Sequence, residues 1–186
     1  GGTAKPSSAA SVVYKRQEHG FDVEVAHTKL TGFRGHFGPD GQYHADVLSD
    51  RTIKFIEGSQ GKPWCAYLSH FAVHTPIQAK REIIGKYEAK RPGKLHRDAK
   101  MAAMIQSVDE GVGKIIAKLE QLSQRDNTVI FFFSDNGGYG PATDMAPLWG
   151  YKGNYYEGGI RVPFFVNWPR VVKAGPSTPQ PIPGLG

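Results

Sequence analysis

The sequence predicts an α/β fold, and three stretches carry the prediction. An apolar run over 64–71 reads as a short buried strand, and a stretch over 97–123 reads as a long amphipathic helix. The third, Thr128-Val129-Ile130-Phe131-Phe132-Phe133, is apolar throughout and reads as a central strand covered on both faces. Strand, helix, strand is a βαβ unit, with a right-handed crossover and two parallel strands. Both strands then end at the same sheet edge, where open α/β sheets bind ligands.

Each element has its own signal. Residues 1–44 are rich in Gly, His, Ser and charged residues and read as an irregular segment. Within it Val12-Val13-Tyr14 and Phe21-Asp22-Val23-Glu24-Val25 suit short strands, and Gly38-Pro39-Asp40-Gly41 suits a turn. Leu48, Thr52, Phe55 and Ile56 fall on one face of a helix over 45–57, with Gly58 as its C-cap. A short helix over 80–90 stops before Pro92-Gly93. In the long helix, Met101, Ile105, Val108, Val112, Ile115, Leu119 and Leu122 recur at spacings of four and three, a continuous apolar stripe. A third strand is expected over 162–168 after a Gly/Tyr-rich loop, and the proline-rich end, 171–186, reads as a tail.

The bulk numbers exclude several classes. At 186 residues, 39% hydrophobic and 22% charged, the chain suits one globular domain with a sizeable core. No apolar run approaches the length of a membrane span. Residues 1–11 have no signal-peptide apolar core and do not start with methionine. The single cysteine, Cys65, allows no internal disulfide and reads as a small buried core residue. The formal net charge is +6, concentrated over 80–100, where eight Lys/Arg face three Asp/Glu. That run reads either as a solvated helix surface or as a patch for anionic substrates. With only Tyr87 as an aromatic and no recognition motif around it, nucleic acid is not an expected partner.

The residues with chemistry lie just past the expected strand ends. Asp135-Asn136-Gly137-Gly138 offers a carboxylate and an amide oxygen, hard ligands of the kind Ca²⁺ or Mg²⁺ prefers, and glycines that let backbone approach closely; it equally suits an ordinary turn. His74, in His74-Thr75-Pro76, reads as a structural residue or as a donor to an anion or a leaving oxygen, with His70 a weaker candidate for the same roles. Lys152 stands among glycines and aromatics in Pro147-Leu148-Trp149-Gly150-Tyr151-Lys152-Gly153 and is either solvated or a holder of a sulfate or phosphate oxygen. Glu157, before Gly158-Gly159, is a cap or a supporting partner.

Together, and in this order, four stretches resemble the arylsulfatase-type sulfatases of the alkaline-phosphatase-like superfamily. They are Tyr67-Leu68-Ser69-His70-Phe71-Ala72-Val73-His74-Thr75-Pro76, Phe133-Ser134-Asp135-Asn136-Gly137-Gly138, residues 147–153, and Tyr156-Glu157-Gly158-Gly159-Ile160-Arg161-Val162-Pro163. The resemblance implies part of a mixed, mostly parallel sheet flanked by helices, with 45–170 as a portion of the catalytic domain. It implies that Asp135 and Asn136 complete a Ca²⁺ site and that His74 and Lys152 are catalytic residues contacting the substrate sulfate, Lys152 bridging toward the leaving oxygen. The substrate class is an aryl or carbohydrate sulfate ester, and a periplasmic, secreted or lysosomal location is expected.

The sequence departs from that family at the nucleophile. The family makes formylglycine from a Cys/Ser-x-Pro-x-Arg motif, and this sequence contains none; it also lacks the Asp-Asp pair that supplies the metal. The formylglycine is therefore expected in an N-terminal part absent from the chain, which alone is expected to be inactive. Trp149 stands where many relatives have arginine, which bears on specificity. Two alternatives follow: a phosphodiesterase or phosphonate hydrolase of the same superfamily, or a non-catalytic remnant that binds a sulfated glycan through the 80–100 lysines.

Overall fold

The structure, a computed structural model, describes residues 32–175. The strands expected at 12–14 and 21–25 and the end of the tail lie outside the described residues. The elements are α1 (His44–Gly58), α2 (Arg81–Glu88), α3 (Ala99–Gln121), a 3₁₀ turn (Arg125–Asn127), β1 (Ile130–Phe133), a one-turn helix α4 (Glu157–Ile160) and β2 (Phe164–Asn167).

The helices α1 and α3 fall close to where periodicity places them, and α2 ends before Pro92-Gly93 as expected. The α3 N-terminus is fixed by Asp98, whose carboxylate accepts the Met101 N–H at 2.9 Å. Its C-terminus is a Schellman turn: Ser123 takes φ +55°, its N–H reaches the Glu120 carbonyl at 2.9 Å, and the Gln124 N–H reaches that of Leu119 at 2.8 Å. The helix packs on both α1 and α2. Against α2, Met104 and Ala103 join Ile83 and Ala79 in the buried cluster, with Ile77, Ile84 and Tyr87 at its margin.

The buried stripe of α3 is not the expected one. Its fully buried residues are Met101, Ala103, Met104, Ser107, Gly111 and Leu119, while Ile105 is 53% exposed. One close approach of α1 to α3 is over small residues, Ser49 and Gly111. A Cβ at Gly111 would overlap the Ser49 hydroxyl and lie 3.3 Å from the Ser49 Cβ. Gly113, two residues on, is exposed and has nothing near its missing Cβ. Gly113→Ala is therefore expected to stabilise the chain by about 0.5–1 kcal/mol through lower chain entropy in the unfolded state. Gly111→Ala is expected to destabilise it by about 1–3 kcal/mol through overpacking. Urea midpoints of the two variants moving in the same direction would contradict this helix–helix packing.

The sheet differs more from expectation. β1 and β2 pair antiparallel, Ile130 opposite Asn167 and Phe133 opposite Phe164. They form the two-stranded sheet of the described residues, and no parallel pair accompanies them. The 64–71 run is not a strand. Its ends are held by side chains instead: Trp64 meets Phe55 of α1 edge-on at 6.3 Å and donates its indole N–H to Gln124 at 3.2 Å, and Phe71 meets His44 of α1 at 5.8 Å. With no ladder through this run, Cys65 is exposed, not buried. Nor is β1 covered on both faces: Phe131 is 57% exposed and Phe133 51%, their rings contacting Phe164 of β2 at 6.0 and 5.8 Å.

Candidate active site

The chain leaves β1 into Ser134-Asp135-Asn136-Gly137-Gly138, and this loop is clasped by two others. The Gly137 N–H donates to the Gly159 carbonyl at 2.8 Å, the Lys152 N–H to the Gly138 carbonyl at 2.9 Å, and the Gly158 N–H to the Trp149 carbonyl at 2.8 Å. These bonds tie the Asp-Asn loop to the lysine loop and both to the turn that opens α4. The glycines are what permits this: a Cβ at Gly137 would overlap the Gly158 carbonyl, and one at Gly158 would overlap that of Gly150. Sequence reasoning treats Gly158-Gly159 as a turn feeding a strand. Their further role is to bring three backbones into contact.

The side chains on this clasp are largely uncommitted. Asp135 is exposed and Asn136 half-buried. Among the described residues, the Asp135 carboxylate, the Asn136 amide and the Lys152 ammonium make no hydrogen bond or ion pair; Ser134 closes the turn by donating to the Asn136 backbone carbonyl at 2.9 Å. Glu157, by contrast, is paired with Arg161 one helical turn on, at 3.1 Å. Trp149 is stacked on Tyr156 at 5.2 Å with its rings nearly parallel, and the indole is 77% exposed.

His74 sits elsewhere in the contact network. Its N–H donates to the Phe71 carbonyl at 2.8 Å, and its ring stacks on Phe71 at 5.4 Å. Nδ1 lies 2.9 Å from the Thr75 carbonyl. A carbonyl only accepts, so Nδ1 carries the proton in that bond. Nε2 is then left to meet an outside group, and it carries a second proton only in the cationic ring. Among the described residues no hydrogen bond, ion pair or ring contact joins His74 to the Asp135–Lys152 clasp. Backbone bonds thus tie Lys152 to the Asp-Asn loop, while those of His74 run to Phe71 and His36.

His70 keeps one N–H to donate but has no positive charge to bring to an anion at neutral pH. Both of its ring nitrogens are buried without a hydrogen-bond partner. Burial pushes its pKa down to about 4, so the ring is neutral near pH 7 and offers no cationic charge to an anion. His36 was not legible as a site residue. It is fully buried, and its Nε2 lies 2.8 Å from the His74 carbonyl.

Comparison with known proteins decides the family. The family model for sulfatases matches residues 5–182. The chain belongs to the sulfatase family. A curated relative described as "Sulfatase", from Formosa agariphila, is 34% identical over 138 residues, covering 68% of this chain and 25% of the relative. Human "Arylsulfatase H" is 32% identical over 140 residues, covering 70% of this chain and 23% of the relative. The chain thus spans about a quarter of the length of these sulfatases. Among solved structures, "Ps i-CgsB in complex with k-i-k-neocarrahexaose" superposes with a TM-score of 0.65 at 30% identity, over 90% of this chain and 37% of that one. The "PsFucS1 sulfatase from Pseudoalteromonas sp." superposes with a TM-score of 0.53 at 30% identity, over 66% of this chain and 24% of that one. The sulfatase neighbours give the chain the alkaline-phosphatase-like fold class, while the parallel sheet expected for it is not formed among the described residues. No helix among the described residues is long and apolar enough to cross a membrane.

Proposed function

We propose that this chain is the part of a sulfuric ester hydrolase that holds the sulfate and half of a calcium site. One observation carries the reading: the backbone clasp that presents Asp135 and Asn136 from one loop and Lys152 from a second tied to it, with their polar ends free of partners among the described residues. Lys152 places its ammonium on a sulfate oxygen and neutralises charge growing on the leaving oxygen. His74, with Nδ1–H spent on Thr75, turns Nε2 to the same group, and in its cationic form that nitrogen has a proton to give to the departing alcohol.

The donor set fits calcium in kind but not in number. Asp135 and Asn136 supply two hard oxygens of the about six to eight that Ca²⁺ takes. Among the described residues no cluster of three or more His, Cys, Asp or Glu is placed to hold a metal. The reading therefore assigns the remaining ligands to residues other than those described, and the formylglycine, whose motif the sequence lacks, to a segment outside it. Bound calcium supplies positive charge at the sulfate oxygens, and the formylglycine hydrate supplies the attacking oxygen. Aryl and carbohydrate sulfates are the substrate classes the reading admits. The exposure of Trp149, three residues before Lys152, supports assigning it a contact with the organic part of the ester.

Two measurements test the reading. The coding sequence upstream of Gly1 is expected to hold a Cys/Ser-x-Pro-x-Arg motif; a threonine nucleophile there, or a two-metal set of histidines, would move the protein to phosphoryl transfer. The purified 186-residue chain is expected to release no nitrophenol from p-nitrophenyl sulfate, because it has no formylglycine motif. Robust turnover by the chain alone would refute the division of the site proposed here.

A further inference from the structure

We propose that His36 is a positioning residue for His74, holding the sulfate-contacting imidazole in place from behind; this rests on the reading of His74 given above. His36 Nε2 lies 2.8 Å from the His74 carbonyl, and since the carbonyl only accepts, His36 Nε2–H donates. The His36 ring also stacks on Phe71 at 4.6 Å and 28°, and Phe71 in turn stacks on His74 at 5.4 Å and 28°. His36, Phe71 and His74 therefore form a three-ring pile, with the hydrogen bond running from one outer member to the backbone of the other.

The rest of the pile is fixed in turn. The His36 N–H donates to the Gln78 side-chain oxygen at 3.2 Å, and the His44 N–H donates to the His36 carbonyl at 2.8 Å. Gly35, at φ +63°, lets the chain turn into this position; a Cβ there would meet the Pro76 ring at 2.8 Å. His74 is held at every polar atom but one: its N–H by Phe71, its carbonyl by His36, its Nδ1 by Thr75. The atom left over is Nε2, the one the sulfate needs.

The test separates the donor from the ring. His36→Gln keeps an N–H near the Nε2 position, His36→Phe keeps the stacked ring without the donor, and His36→Ala removes both. In the catalytic polypeptide, this chain joined to its nucleophile-bearing segment, His36→Ala and His36→Phe are expected to lower kcat/KM about 10–100-fold, the scale of a misplaced contact group. His36→Gln is expected to restore most of it at unchanged thermal stability. His74→Ala is measured alongside. If His74→Ala leaves kcat/KM intact, the sulfate role of His74 fails; if it lowers kcat/KM and His36→Phe does not, the positioning role alone fails. A second arm uses the 186-residue chain itself: the His74 ring proton shifts in its NMR spectrum are expected to move in His36→Phe and return in His36→Gln, and shifts unchanged in His36→Phe would overturn the inference without any assay of turnover.

Discussion

Gly158→Ala is expected to open the loop clasp, at a cost of about 3–5 kcal/mol, while leaving the helical layer folded. A Cβ at this position would overlap the Gly150 carbonyl oxygen and lie 2.8 Å from that of Trp149, which already accepts the Gly158 N–H. Both obstacles are backbone, so no side-chain rotation relieves them. The measurement is amide hydrogen exchange. Protection of the Gly137 and Lys152 amides, which make the other two ties, should vanish, while the α3 amides keep theirs. Gly137→Ala should give the same pattern, because its Cβ would meet the Gly158 carbonyl from the other side. If the Gly137 and Lys152 amides exchange as slowly as before, the clasp is not what joins these loops.

The helices were legible because their signals are local. Apolar spacing located α1 and α3 to within a few residues, and the Pro92-Gly93 stop located α2. The choice of buried face on α3 was not legible, since it depends on a partner helix that comes close at Ser49 and Gly111. Strand pairing failed for a related reason. An apolar run announces burial, but whether Trp64 and Phe71 enter a ladder or pack sideways on α1 is settled by elements distant in sequence. The Asp135-Asn136 and Lys152 loops were legible as chemistry, and their meeting was implied by the family resemblance, while the glycine contacts that tie them could not be seen. His36 gave no signal: a lone histidine in a glycine-rich loop looks the same whether it is solvated or buried behind His74.

The side chain of Lys152 can be tested apart from the scaffold that carries it. Its backbone N–H makes the tie to Gly138, and that bond survives Lys152→Ala; its ammonium makes no hydrogen bond or ion pair among the described residues. In the catalytic polypeptide Lys152→Ala is therefore expected to lower kcat/KM for an aryl sulfate by about 10²–10³-fold, the usual loss for one charge-stabilising donor, with the thermal midpoint unchanged. Asp135→Asn makes the complementary change. It keeps an oxygen at the end of β1 but removes its charge, so calcium affinity measured by calorimetry should fall while the Gly137 and Lys152 amides stay protected. An ammonium that only solvated the loop would give a Lys152→Ala variant of near wild-type turnover, and the clasp would then be a structural device with no hold on the sulfate. A loss of turnover with amide protection intact would assign the effect to the charge, because in that variant nothing else about the three loops has changed.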